Sequence, residues 1–206
     1  MAPKDPVAYR ALSVFYETTG QRDKAIVELK TLETAQFRDL VVKQRLVENL
    51  LSAGRLDEAE ATNRAIKKAA AQSAHPYYTD GRIYMARKQF EAAIAPLNQA
   101  ISIERQPDYY YSLGMAQASL GLLKQARESF QQAISLDPQR VDAILALAGL
   151  ALGSGNQSFA LQTTNQVLTR YPDSSEAKIV RAQALVVLGN LILRSDRAGS
   201  RAFGVS

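Results

Sequence analysis

Apolar positions recur along the chain at spacings of three and four, the period of a helix with one buried face, and the segments carrying that pattern come in pairs. In residues 107–140, Tyr110, Leu113, Gly114 and Gln117 share one face of a first predicted helix. Gly121 ends it, because glycine takes the positive φ needed just past a helix C-terminus. Leu123, Ala126, Phe130, Ala133 and Ile134 mark a second helix, which Asp137-Pro138 stops. The small Gly114 and Ala126 predict a close approach of the two backbones, with Tyr110 and Phe130 filling the space beside them. A hairpin this short cannot bury its apolar face alone, so neighbouring hairpins must stack on it.

The pairing repeats in a fixed register. Gly20 and Gly54 lie 34 residues apart, as do Gly121 and Gly155, and Gly155 and Gly189; Lys88 stands at the intermediate position between Gly54 and Gly121. Five residues beyond these points come Ala25, Ala59, Ala93, Ala126 and Ala160. Two residue types in one register define units 6–39, 40–73, 74–106, 107–140 and 141–174, with a partial unit at 175–193. The partial unit has Ala182, Leu185 and Gly189, but Arg194 replaces the small residue that a second helix needs. Residues 175–193 therefore read as a capping helix, 194–206 as a flexible polar tail, and 1–5 as an N-terminal extension. Pro96, inside a predicted second helix but near its start, is expected to bend it modestly.

These residues resemble the tetratricopeptide repeat (TPR) family, whose pattern is an aromatic, Leu-Gly, a second aromatic, then Ala with Phe four beyond and a closing Pro. Tyr110, Leu113-Gly114, Ala126, Phe130 and Pro138 follow it, with Gln117 in place of the second aromatic. Tyr77, Gly81, Tyr84 and Ala93 match, as do Tyr9, Leu12, Tyr16 and Ala25. The resemblance implies an all-α, right-handed superhelical solenoid of antiparallel helix pairs with a concave groove. The phrasing of the repeats, as in Gly54-Arg55-Leu56-Asp57-Glu58-Ala59, is similar to that of bacterial TPR proteins.

Composition narrows the function classes. The net charge of +5 is spread along the chain rather than gathered into a basic stripe, which argues against a nucleic-acid partner. No run of 18 apolar residues is present, so no membrane span is expected, and no apolar segment follows the first residues as in a secretion signal. The absence of cysteine removes disulfides and thiolate chemistry and leaves the cytoplasm and the periplasm equally open. His75 is the sole histidine, and the glycines occur singly rather than as a phosphate cradle. Neither a catalytic constellation, a metal site nor a cofactor site is expected.

The resemblance implies a role in binding protein or peptide on the exposed face of each first helix. Mapped by register, that face holds Arg10, Val14 and Glu17, then Gln44, Arg45 and Glu48, then Tyr78, Arg82 and Met85, then Tyr111 and Met115, and then Leu145. Arg45, Tyr78, Arg82, Met85, Tyr111, Met115 and Leu145 are the candidate contacts, since Tyr and Arg favour interface hot spots and Met adapts to varied shapes. Arg45 and Arg82 are suited to a peptide's acidic groups, with Glu48 placed to neutralise Arg45. The Lys and Asn set that TPR proteins use to clamp a terminal carboxylate has no match here. A second surface, the aliphatic run around Ile179, Val186 and Leu191, makes a homo-oligomer, caps the array, or is covered by further chain.

Overall fold

The computed structural model describes the backbone of residues 6–34 and 40–202 and the side chains of 11–33 and 40–191. Eleven α-helices and no strands occur among the described residues: α1 (Pro6–Thr18), α2 (Arg22–Thr34), α3 (Leu40–Ser52), α4 (Leu56–Ala69), α5 (His75–Ala86), α6 (Phe90–Ile103), α7 (Pro107–Ser119), α8 (Leu123–Leu136), α9 (Val141–Gly153), α10 (Gln157–Arg170) and α11 (Ser175–Ala202). None is long and apolar enough to cross a membrane among the residues described. The chain divides into two compact units, Met1–Gly121 and Leu122–Ser206.

The corners explain the repeat. Gly20, Gly54, Gly121 and Gly155 have φ between 71° and 81°, and Lys88 has φ 59°. A lysine thus does at one corner what glycine does at the others, against a left-handed penalty of about 1 kcal/mol. At four corners the next residue donates its N–H to a carbonyl five residues back: Gln21 to Tyr16, Arg55 to Leu50, Gln89 to Tyr84 and Asn156 to Ala151, at 2.8–2.9 Å. This bond satisfies a carbonyl that the helix end leaves open and turns the chain into the second helix. The alanines five residues on, Ala25, Ala59, Ala93, Ala126 and Ala160, are all fully buried. Each leaves room for the neighbouring backbone.

In the first unit a core of Ile26, Leu29, Leu32, Val42, Leu46, Val47, Leu50, Ala59, Ile66 and Ile83 joins α2 to α5. Ala93, Leu97, Leu113 and Ala116 form a second cluster on α6 and α7. Gly81 is required there: a methyl group on it would sit 2.6 Å from Cγ and Cδ2 of Leu97. In the second unit Leu145, Val167 and Ala177 form one cluster, and Ala148, Ala160 and Ala184 another.

Gly189 lies within α11 without a positive φ, inside the span read as a capping helix, and the far end departs from the sequence reading only beyond that span. The tail expected to be loose from residue 194 is helical as far as Ala202. No proline follows Pro172 to stop the helix, and the polar run contains Arg and Ala, which favour helix. Pro96 is accommodated within α6, which continues to Ile103.

Candidate protein-binding face

In the first unit the first helices are α1, α3, α5 and α7, and their side chains meet in a ladder. On α1, Glu17 accepts hydrogen bonds from Arg45 Nη2 at 2.6 Å and Asn49 Nδ2 at 2.8 Å, both on α3. One step on, Glu48 of α3 accepts two bonds from Arg82 Nη1 of α5, at 2.6 and 2.7 Å. The Arg82 guanidinium also stands 5.5 Å from the centre of the Tyr78 ring. Tyr78 packs on Tyr109 of α7, with ring centres 4.6 Å apart. Arg45 therefore takes Glu17 as its partner, not Glu48 as the sequence reading expected.

These contacts set the electrostatics. Burial raises the Tyr78 phenol above its ordinary pKa of 10, opposed by a hydrogen bond with Ser112. Burial alone would lower Arg82, but the bond and charge of Glu48 outweigh it and raise the guanidinium above its usual value. His75 opens α5 with Nε2 3.9 Å from Glu48. Burial lowers its pKa below 6.5; Glu48 pulls it up, while Arg82 adds to the lowering.

Tyr78, Arg82, Met85, Tyr111 and Met115 are all half-buried, presenting part of each side chain to solvent. Met85 and Tyr78 also lean on the Leu97 core. Leu145 differs. Expected on the open face, it is 5% exposed, in the cluster with Val167 and Ala177. The register explains both cases. Tyr78 and Leu145 hold the same place in their repeats and meet the third position of the next first helix, Tyr109 and Ala177 respectively. A tyrosine is long enough to emerge from that seam, whereas a leucine is swallowed by it. Sequence reasoning missed Tyr109, which is buried; its signal was this third position, one repeat after Pro76. Arg10 lies outside the residues whose side chains are described. Ile179, Val186 and Leu191 of α11 are 57%, 62% and 46% exposed. Residues 192 and 193 of the aliphatic run lie outside the described side chains.

The helical hairpins, the glycine-type corners and the buried alanine column agree with the protein-family comparison. Residues 117–184 match a family model described as tetratricopeptide repeat, and residues 81–121 match one described as TPR repeat. This is a tetratricopeptide repeat protein. Among solved structures it is similar to TTC0263, a thermophilic TPR protein of Thermus thermophilus, at 21% identity over 87% of this chain and 98% of that one, with TM-score 0.73. It is also similar to MamA, from residue 41 to its end, of Desulfovibrio magneticus RS-1, at 19% identity over 85% and 99% of the two chains, with TM-score 0.67. A third likeness is to a tetratricopeptide repeat protein of Parabacteroides merdae ATCC 43184, at 16% identity over 97% and 80%, with TM-score 0.69. At these identities the likeness shows the fold, an all-α helical repeat. No curated protein matches the sequence.

Proposed function

We propose that this TPR protein is a non-catalytic scaffold that holds a segment of a partner protein on the face formed by α5 and α7. TPR repeats generally mediate protein–protein interaction, and scaffolds of this family are generally not enzymes. The observation that carries the reading is the side-by-side display of half-buried Tyr78, Arg82 and Met85 on α5 and Tyr111 and Met115 on α7, all within one compact unit. Tyrosine gives rigid contact area at small entropic cost and methionine adapts its shape to what it meets, a combination suited to a binding face.

Tyr78 also supports Tyr109, so the cleaner test lies on α7. The double variant Tyr111→Ala/Met115→Glu should lose partner capture from a lysate of the source cells while keeping its helical circular dichroism. Undiminished capture by a folded variant would move the binding surface elsewhere.

The exposed aliphatic side chains of α11 support a second reading, a structural element that self-associates. Second-unit contacts of α11 run to α9 and α10, and among the described residues no second helix of its own follows it. Light scattering decides it: a chain that is monomeric both as wild type and as Ile179→Glu/Val186→Glu has no such assembly.

A further inference from the structure

We infer that the α5–α7 face selects an uncharged, apolar partner segment, with Arg82 donating to a neutral carbonyl oxygen of that segment instead of clamping an acidic group. This deepens the proposed function and rests on it. The argument begins with what the two arginines have left to give. Arg45 is engaged by Glu17 at 2.6 Å, and Arg82 by both oxygens of Glu48. Both bonds to Glu48 come from a single nitrogen, Nη1. Nε and Nη2 of Arg82 have no hydrogen-bond partner among the described residues, and neither is among the side-chain atoms sealed from solvent without one.

Arg82 thus combines a cancelled charge with unspent donors. A carboxylate approaching it would meet Glu48 already in place, and Asp108 at the start of α7 adds a second negative charge within the field of both Arg82 and Tyr78. His75, also on α5, is disfavoured in its charged form by burial, with Arg82 adding to this against the opposing pull of Glu48. Like charges brought together at a desolvated face weaken binding, whereas an amide or peptide carbonyl takes the same N–H bonds without that repulsion. The Tyr78 ring lies beside Arg82, and half-buried Met85 on α5 with Tyr111 and Met115 on α7 offer further apolar contact. An acidic tail, the ligand suggested by the arginines in the sequence, is the wrong partner for the face they form.

The test uses a display library of random twelve-residue peptides on the full chain, counter-selected on Tyr111→Ala/Met115→Glu so that only peptides requiring this face remain. Peptides held by the wild type should be poor in Asp and Glu, and their affinity should change little between about 0.05 and 0.5 M salt. Introducing Asp into a selected peptide should weaken it about tenfold on the wild type. Glu48→Gln releases the Arg82 charge, so the same library should then yield acidic peptides with salt-sensitive affinity. Arg82→Lys keeps the charge pair but loses the fixed guanidinium fork, and it should weaken the neutral peptides. Acidic, salt-sensitive peptides selected by the wild type would overturn the inference while leaving the face as the binding site. A library with no face-dependent peptide would sink the binding reading itself. If Glu48→Gln loses helicity, the wild-type selection and its salt series decide the matter alone.

Discussion

The two units of the chain use different means to hold hairpins of one design. In residues 11–121, charged groups about one repeat apart in sequence reach across from hairpin to hairpin. Glu17 meets Arg45, Lys30 meets Glu58, Glu48 meets Arg82, and Asp57 and Glu60 meet Arg87. In residues 122–191 the ion pairs among described residues are local, Arg140 with Asp142 and Lys178 with Asp173, and Arg170 adds a hydrogen bond to Gln139. There the hairpins meet mainly through alanine, valine and leucine. Solvent screens ion pairs at or near the surface and ordering their side chains costs entropy, so the network adds less stability than it adds order to a surface. The first unit has a chemically patterned face, and the second has mainly shape.

Packing changes should separate the two most strongly. Leu97→Ala empties the α5–α6 seam of the first unit and should cost about 2–5 kcal/mol in urea denaturation of the full chain. Gly81→Ala alone should cost about 1–3 kcal/mol by forcing Leu97 aside, and much less once Leu97 is already alanine. Simple additivity of the two would show that Gly81 is not reserved for Leu97. In the second unit, Ala160→Leu should cost about 1–3 kcal/mol, because its cluster has only Ala148 and Ala184 as fully buried neighbours. A neutral result there would mean that the second unit is loosely packed.

Smaller effects probe the first unit's special residues. Lys88→Gly should stabilise by about 0.5–1 kcal/mol, since the left-handed corner suits glycine; a loss in denaturation would assign the lysine side chain a compensating contact. His75 gives a pH signature. Its folded pKa lies below 6.5, so its contribution is complete above 6.5. As pH falls below that value the unfolded chain takes up a proton that the folded chain resists, and stability declines. Denaturation midpoints at about pH 7.5 and 5.5 should therefore differ less in His75→Asn than in the wild type.

Much of the fold was legible because it is written in short-range chemistry. A glycine-type position followed five residues later by alanine needs no tertiary information, and it located even Lys88. The end of α11 was not legible in this way, because the polar run after residue 193 lacks the apolar spacing that marks the other helices. The face was half legible. Register placed Tyr78, Arg82, Met85, Tyr111 and Met115 on adjacent helices, but it could not tell that a residue in the seam emerges or sinks according to its length, which is why Leu145 was misplaced. Nor could it assign Arg45 to Glu17, because that choice depends on which carboxylate the stacking of helices brings within 3 Å.

The identical corner bond at Gln21, Arg55, Gln89 and Asn156 gives the chain a modular grammar. Each bend closes over a handful of residues and asks nothing of distant ones. A whole hairpin such as 40–73 could accordingly be duplicated or excised with every remaining bend still meeting its own partner. Such an array changes length by copying, long before any new turn has to be invented.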